Sequence, residues 1–168
     1  MGLIPSEAYI GGNKMIYQSP QMHDIAEQCR HTARKDKDVP FLLLGETGVG
    51  KNVLARYIHD ETPARCKYPF VTASLSRDDS LLDSELFGHV KGAFTGAYEN
   101  HDGAFMRAAG GSVFLDEIGD LSAQGQLKLL KVVDERVYWP LGATDYLTAG
   151  ARIIAATNKT LEYLTNGT

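Results

Sequence analysis

The sequence predicts an α/β fold in three layers, a parallel β-sheet sandwiched by helices. Short unbroken apolar runs, such as Phe41-Leu42-Leu43-Leu44 and Ser112-Val113-Phe114-Leu115, read as strands buried on both faces. Segments with apolar residues at helical spacing lie between those runs. Strand and helix therefore alternate, and a parallel sheet needs that order because each connection must cross a face of the sheet. One strand also runs straight into a glycine-rich loop and then a helix.

Residues 1–20 carry Pro5, Gly11, Gly12 and Pro20 and read as an extended segment. Ser19 ahead of Pro20 marks a helix start, and Met22, Ile25, Ala26 and Cys29 follow at helical spacing. Arg30 to Asp38, mixed in charge, reads as a solvated connector. Pro40 and Gly45 bound the first strand, Phe41 to Leu44. The spacing predicts a helix over Asn52 to Asp60, with Val53, Leu54, Tyr57 and Ile58 on one side. Pro69 to Thr72 is a second short strand, and Asp78 to Phe87 a helix carrying Leu81, Leu82 and Leu86. Gly88 to Ala97 has too many glycines for a regular element. Ser112 to Leu115 is the third strand. Gln124 to Val133 is helical with Leu127, Leu130 and Val133 in register, and Arg152 to Ala156 is the fourth strand.

Composition narrows the function. The chain has 168 residues, 43% hydrophobic and 23% charged, enough for one domain with a core of its own. A net charge of −4 leaves no electrostatic footprint for non-specific nucleic-acid binding by this segment. Cys29 and Cys66 have neither the number nor the spacing of a disulfide framework or a zinc site, and read as reduced thiols of a cytoplasmic protein. No apolar run has the length of a membrane span.

The first chemical signal is Gly45-Glu46-Thr47-Gly48-Val49-Gly50-Lys51-Asn52, between a buried strand and a helix. In that context the glycines let successive backbone amides curl toward phosphate oxygens. The helix adds its positive end, and Lys51 reaches the terminal phosphates as a point charge. Position 52 holds Asn where a hydroxyl usually serves Mg²⁺, so Asn52 offers only a weak carbonyl ligand. Asp116, at the end of the third strand, is the stronger candidate for Mg²⁺, directly or through water. Glu117 is the candidate general base for an attacking water. Asn158 ends the fourth strand. It could orient that water, or it could bond local backbone as a turn residue. The segment from Gly88 to Ala97 presents one aromatic, Phe94, which either contacts a partner protein or tucks into the core.

With those residues in view, the chain resembles the ATPase domain of bacterial sigma-54-dependent transcription activators, within the AAA+ superfamily of P-loop NTPases. Glu85 to Ala97 contains that family's GAFTGA signature intact as Gly92-Ala93-Phe94-Thr95-Gly96-Ala97. Gly110 to Leu121, Gln126 to Lys131 and Arg152 to Asn158 match as well. The resemblance implies a domain over residues 10–168 behind a linker of residues 1–9. It implies that ATP is bound and hydrolysed with Mg²⁺, and that residues 92–97 touch the sigma-54 factor of RNA polymerase, with Phe94 and Thr95 as contacts. It makes Asn158 a sensor and places Ile10 and Gly11 beside the adenine. It further implies a ring of subunits, usually a hexamer, sites completed by a neighbour's arginines, and DNA binding through a domain outside this chain. The chain would stop short of the helical lid and of those arginines, and the isolated fragment would be a poor ATPase.

Four positions depart from the family pattern: Asn52 for Glu, Ser74 near an Asn that holds the catalytic Glu, Pro140 for Arg, and Gly150 for Asp. They imply altered control of Glu117 and an altered network between subunits. A second reading is a nucleotide-responsive sigma-54-binding module with weak or no turnover. A third, a P-loop kinase of small molecules, finds no residues for an acceptor pocket.

Overall fold

The computed structural model describes residues 6–10, 13–17 and 19–159, the first two segments through their backbone. Strands β1 (Ser6–Ile10) and β2 (Asn13–Tyr17) pair antiparallel, so part of the predicted extended segment is a hairpin. Helix α1 spans Pro20–Lys35 and starts as predicted: Pro20 is its first residue, and the Ser19 hydroxyl accepts from the Met22 amide at 3.4 Å. It runs through most of the expected connector. Arg30 pairs with Glu27 one turn back, Ala33 faces the core, and Arg34 and Lys35 sit in the last turn, where cations suit the negative helix end.

The sheet holds β3 (Phe41–Leu44), β4 (Phe70–Ala73), β5 (Ser112–Leu115) and β8 (Arg152–Thr157) in the order β3-β8-β5-β4, all parallel. Central β8 and β5 are buried at every residue. Leu43, Phe114, Ile154 and Ala156 pack on one face against α1 and α2 (Lys51–Asp60). Val113, Leu115, Ile153 and Ala155 pack on the other against α3 (Asp79–Phe87), α4 (Ala104–Arg107) and α5 (Ala123–Glu135). This is the predicted three-layer α/β/α sandwich. The expectation that β3 is buried on both faces is corrected. It is an edge strand of the described sheet, and Leu42 and Leu44 are each 46% exposed beyond the reach of the helices on that face.

Helical spacing misjudged several side chains. Val53 and Leu81 are exposed, while Leu54, Tyr57, Ile58, Leu82 and Leu86 are buried as expected. In α5 the register is rotated: Gly125, Leu129 and Val132 face inward, and Leu127 and Leu130 are 66% and 54% exposed. Gly125 explains the rotation. A Cβ there would lie 2.8 Å from the Leu82 side chain, so the lack of one lets α5 press this face onto α3. A short hairpin, β6 (Val137–Tyr138) with β7 (Leu147–Thr148), follows α5.

Buried arginines tie the sheet edge where β8 begins. Arg152 is fully buried; it donates to Thr62 Oγ1 at 2.7 Å and to the Asp36 carbonyl, and its Nε has no partner. Burial, and then the charge of Arg65, lower its pKa to about 10. Arg65 donates to the carbonyls of Gly111 and Gly150, each at 2.8 Å, and pairs with Asp38. One of the four departures, Gly150, therefore takes part through its backbone.

Candidate active site

The opposite edge of the sheet carries the residues that the sequence singles out for chemistry. In a parallel sheet all strands end on the same side. β3 delivers the glycine-rich loop there, β5 delivers Asp116 and Glu117, and β8 delivers Asn158. β8 lies between β3 and β5, so its end bridges the other two. The Gly45 amide donates to the Thr157 carbonyl at 3.2 Å, which fixes the start of the loop against β8.

The loop adopts the backbone its glycines permit. Gly48 (φ 86°) and Gly50 (φ 94°) are left-handed, a region that costs side-chain-bearing residues strain. Gly50 caps α2 without a side chain, so the first-turn amides of α2 keep no side-chain partner and remain available to an anion. Lys51 is buried and bends back over the loop. Its Nζ donates to the carbonyls of Gly45 at 2.9 Å and Glu46 at 3.2 Å, and pairs with Glu117 Oε1 at 3.3 Å. Glu46, Thr47, Val49 and Asn52 are exposed around it.

Glu117 is held in an unusual conformation. It is not glycine, yet its φ is 56°, and it opens the one-turn 3-10 helix Ile118–Asp120. Its second carboxylate oxygen accepts from the Asn158 amide at 2.9 Å. The turn it opens packs tightly on β8: a Cβ at Gly119 would fall 2.6 Å from Thr157 Oγ1. Asp116 is exposed beside it, with one carboxylate oxygen accepting from the Glu117 amide at 3.0 Å. The Asn158 side chain donates to Thr47 Oγ1 at 3.4 Å, across the loop rather than to local backbone. Ser74, just past β4, is exposed, and Lys51 and Asn158 are what Glu117 meets.

The sequence-predicted residues of the loop, Asp116, Glu117 and Asn158 are thus gathered at one edge. Ile10 ends β1 and Gly11 lies outside the described residues. Sequence reasoning gave Thr47 no role beyond the loop, and it missed Arg77 and Lys159, which flank Asp120 at 3.7 and 3.3 Å next to the carboxylates. No local pattern announces either contact, because the partners are distant in the chain. Next to the loop is an apolar cleft of about 240 Å³, lined by Met22, Ile25, Leu42, Leu44, Val49 and Gly50. The exposed half of β3 forms one of its walls.

No cluster of three or more His, Cys, Asp or Glu residues that could hold a metal ion is present among the described residues. Mg²⁺ does not require one, since it binds through one or two carboxylates together with phosphate oxygens. The exposed Asp116 carboxylate, with the Asn52 amide in the first turn of α2, fits that donor set.

The glycine-rich segment after α3 is a compact set of turns. Gly88, Gly92 and Gly96 are all left-handed, and the Gly92 amide donates to the Ala97 carbonyl at 2.8 Å. Ala97 is buried; Gly92, Thr95 and Gly96 are exposed, and Ala93 is half-buried. Phe94 does not enter the core. It is 47% exposed and leans on His89.

Comparison with known proteins identifies a family. Residues 15–168 match the family described as Sigma-54 interaction domain. The chain is 48% identical over 153 residues to the DNA-binding transcriptional activator HyfR of Escherichia coli, covering 90% of this chain and 22% of that protein. It is 49% identical over 136 residues to the hydrogenase transcriptional regulatory protein HoxA of Cupriavidus necator, covering 80% of this chain and 28% of that one. The crystal structure of NtrX from Brucella abortus in complex with ATP superposes with a TM-score of 0.76 at 28% identity, over 92% of this chain and 34% of NtrX. An ADP complex of NtrX superposes equally well, with a TM-score of 0.76.

Proposed function

The chain belongs to the sigma-54 interaction domain family, whose fold is that of AAA+ P-loop ATPases, and from that premise we propose that it binds and hydrolyses ATP to remodel the sigma-54 RNA polymerase closed complex. The chain spans 22–33% of the length of the first curated relatives it matches, so this is the share of a larger regulator's work assigned to this domain. The observation that carries the proposal is the meeting of Lys51, Asp116, Glu117 and Asn158 at one sheet edge beside left-handed Gly48 and Gly50.

In this reading the triphosphate lies along the amides of residues 45–50 and the first turn of α2. Lys51 exchanges the Gly45 and Glu46 carbonyls for the terminal phosphates. Asp116, with Asn52, would hold Mg²⁺, which neutralises phosphate charge when bound. The base would enter the apolar cleft lined by Ile25, Leu42 and Leu44, and the family resemblance assigns Ile10 and Gly11 to the same base. Glu117 leaves Lys51 and takes a proton from a water as that water's oxygen bonds to the γ-phosphorus and the bond to the β-phosphate oxygen breaks. Asn158 positions the water through its side-chain amide.

Residues 92–97 would present Phe94 and Thr95 to sigma-54. Subunits would assemble as a ring in the cytoplasm, with arginines from the neighbour completing each site and DNA held by another domain of the same protein.

The test is ATP turnover against protein concentration in the full-length protein, with Lys51→Ala as blank and Glu117→Gln as companion. Specific activity should rise with concentration. Glu117→Gln should lose about 10²–10⁴-fold in turnover while still binding ATP. Blank-level turnover at every concentration, with ATP binding intact, would instead favour the nucleotide-responsive sigma-54-binding module. The present Lys51–Glu117 ion pair, which engages the base with a cation, is the observation on that module's side.

A further inference from the structure

The base of the 92–97 loop is organised around one side chain that the ATPase chemistry does not use. Backbone bonds run both ways between His89 and His101, at 3.0 and 2.9 Å. Val90 donates to the Leu141 carbonyl at 3.0 Å, and Leu141 to the Gly88 carbonyl at 2.9 Å. His89 therefore bridges the segment leaving the loop and the segment that follows β6. At that bridge the imidazole of His89 touches three groups. Its Nδ1 lies 2.9 Å from Ser84 Oγ on α3. Its ring stacks on that of His101, with centroids 5.4 Å apart and planes 25° apart. Phe94 meets it edge-on, with centroids 4.9 Å apart at 66°. The opposite flank of the loop is closed by Gly142, where a Cβ would fall 2.9 Å from the Ala93 Cβ.

We infer that His89 is the positioning residue for Phe94: its ring, braced by Ser84 and His101, is the seat that sets how far the loop aromatic projects into solvent. Two facts support it. Phe94 is only half exposed although it sits among turns, and the ring that lies against it is that of His89. The tilted geometry and the 4.9 Å separation are those of a favourable aromatic pair. His89 is also the point where α3, the loop and the segment after β6 meet, so a shift of any of them reaches Phe94 through one ring. What this does for sigma-54 rests on the function proposed above; the seating of Phe94 does not.

The experiment follows the ring resonances of Phe94 by NMR in the chain, in wild type and in His89→Ala, His89→Phe, His101→Ala and Ser84→Ala. His89→Ala should move Phe94 toward the shifts of a free phenylalanine, and His89→Phe should restore most of the displacement. The affinity for ATP should stay within about twofold in all four, because none of these residues lines the phosphate loop. In the full-length protein, capture of sigma-54 with an ATP transition-state analogue should fall about three- to tenfold in His89→Ala and recover in His89→Phe, the range expected for loss of one aromatic pair.

Unchanged Phe94 resonances in a folded His89→Ala would overturn the inference and leave the loop's own turns as the sole support. If His89→Ala does not fold, His101→Ala and Ser84→Ala decide, since each removes one brace from the ring; no movement of Phe94 in either overturns it as well. Displaced Phe94 with sigma-54 capture intact would leave the seat standing and remove the loop's assigned role.

Discussion

At the residue scale, two buried ionisable side chains show how burial sets charge. Arg152 keeps its charge because backbone carbonyls and Thr62 surround it, although burial and Arg65 lower its pKa to about 10. His59 is nearly inaccessible, lies 3.0 Å from Ser112 Oγ through Nδ1, and packs against Phe70. Burial lowers its pKa, so the unfolded chain takes up the proton first. Stability from the neutral ring is whole above the ordinary imidazole pKa of about 6.5 and shrinks as pH falls below it. Urea titrations between pH 8 and pH 5 should show that loss, and His59→Gln should reduce the pH dependence; an unchanged slope would mean that other groups carry it. The residue types of the site were legible because phosphate chemistry restricts them to few kinds in a fixed local order. The left-handed Glu117 and its bond to the Asn158 amide were not, since they depend on how β5 and β8 end beside each other.

At the scale of elements, α5 gives the sharpest test of packing. Apolar residues on it exceed what one face needs, and periodicity alone chose Leu127, Leu130 and Val133. The close approach at Gly125 turned Leu129 and Val132 inward in place of Leu127 and Leu130, while Val133 still packs against the core. Leu129→Ala should therefore cost about 2–5 kcal/mol and Gly125→Ala about 1–3 kcal/mol by overpacking, while Leu127→Gln should stay within about 0.5 kcal/mol. Chemical denaturation of the three variants checks the order, and a large loss from Leu127→Gln would contradict the observed rotation. Helix α1 teaches a related lesson. Its mixed charges looked like a connector, but charged residues with good helix propensity extend a helix when one face, here Ala33, reaches the core.

For the whole molecule, the site is a junction of three strand ends that meet nowhere else. A nucleotide bound there would bridge the loop after β3 to the ends of β5 and β8, and ligands that bind the folded chain raise its stability. ATP with Mg²⁺ at about a hundred times its Kd should add roughly 2.7 kcal/mol in a thermal or denaturant melt. Lys51→Ala should lose most of that gain while keeping the melt of the free chain near wild type. Equal stabilisation of both proteins would place the nucleotide away from Lys51 and contradict the proposed site.

The sequence by itself determined the layer architecture, the four strands of the parallel sheet, the phosphate loop, the paired carboxylates and the signature of the 92–97 loop. Each of these is written in neighbouring residues, through period, glycine placement or the adjacency of two side chains. Tertiary structure alone decided which face of α5 is buried and that β3 stands at an edge with Leu42 and Leu44 in the open. It alone set Glu117 on Lys51 and Asn158. The physical reason is the same in each case: these outcomes are contacts between segments far apart in the chain, and no local pattern encodes which distant surface a side chain will meet.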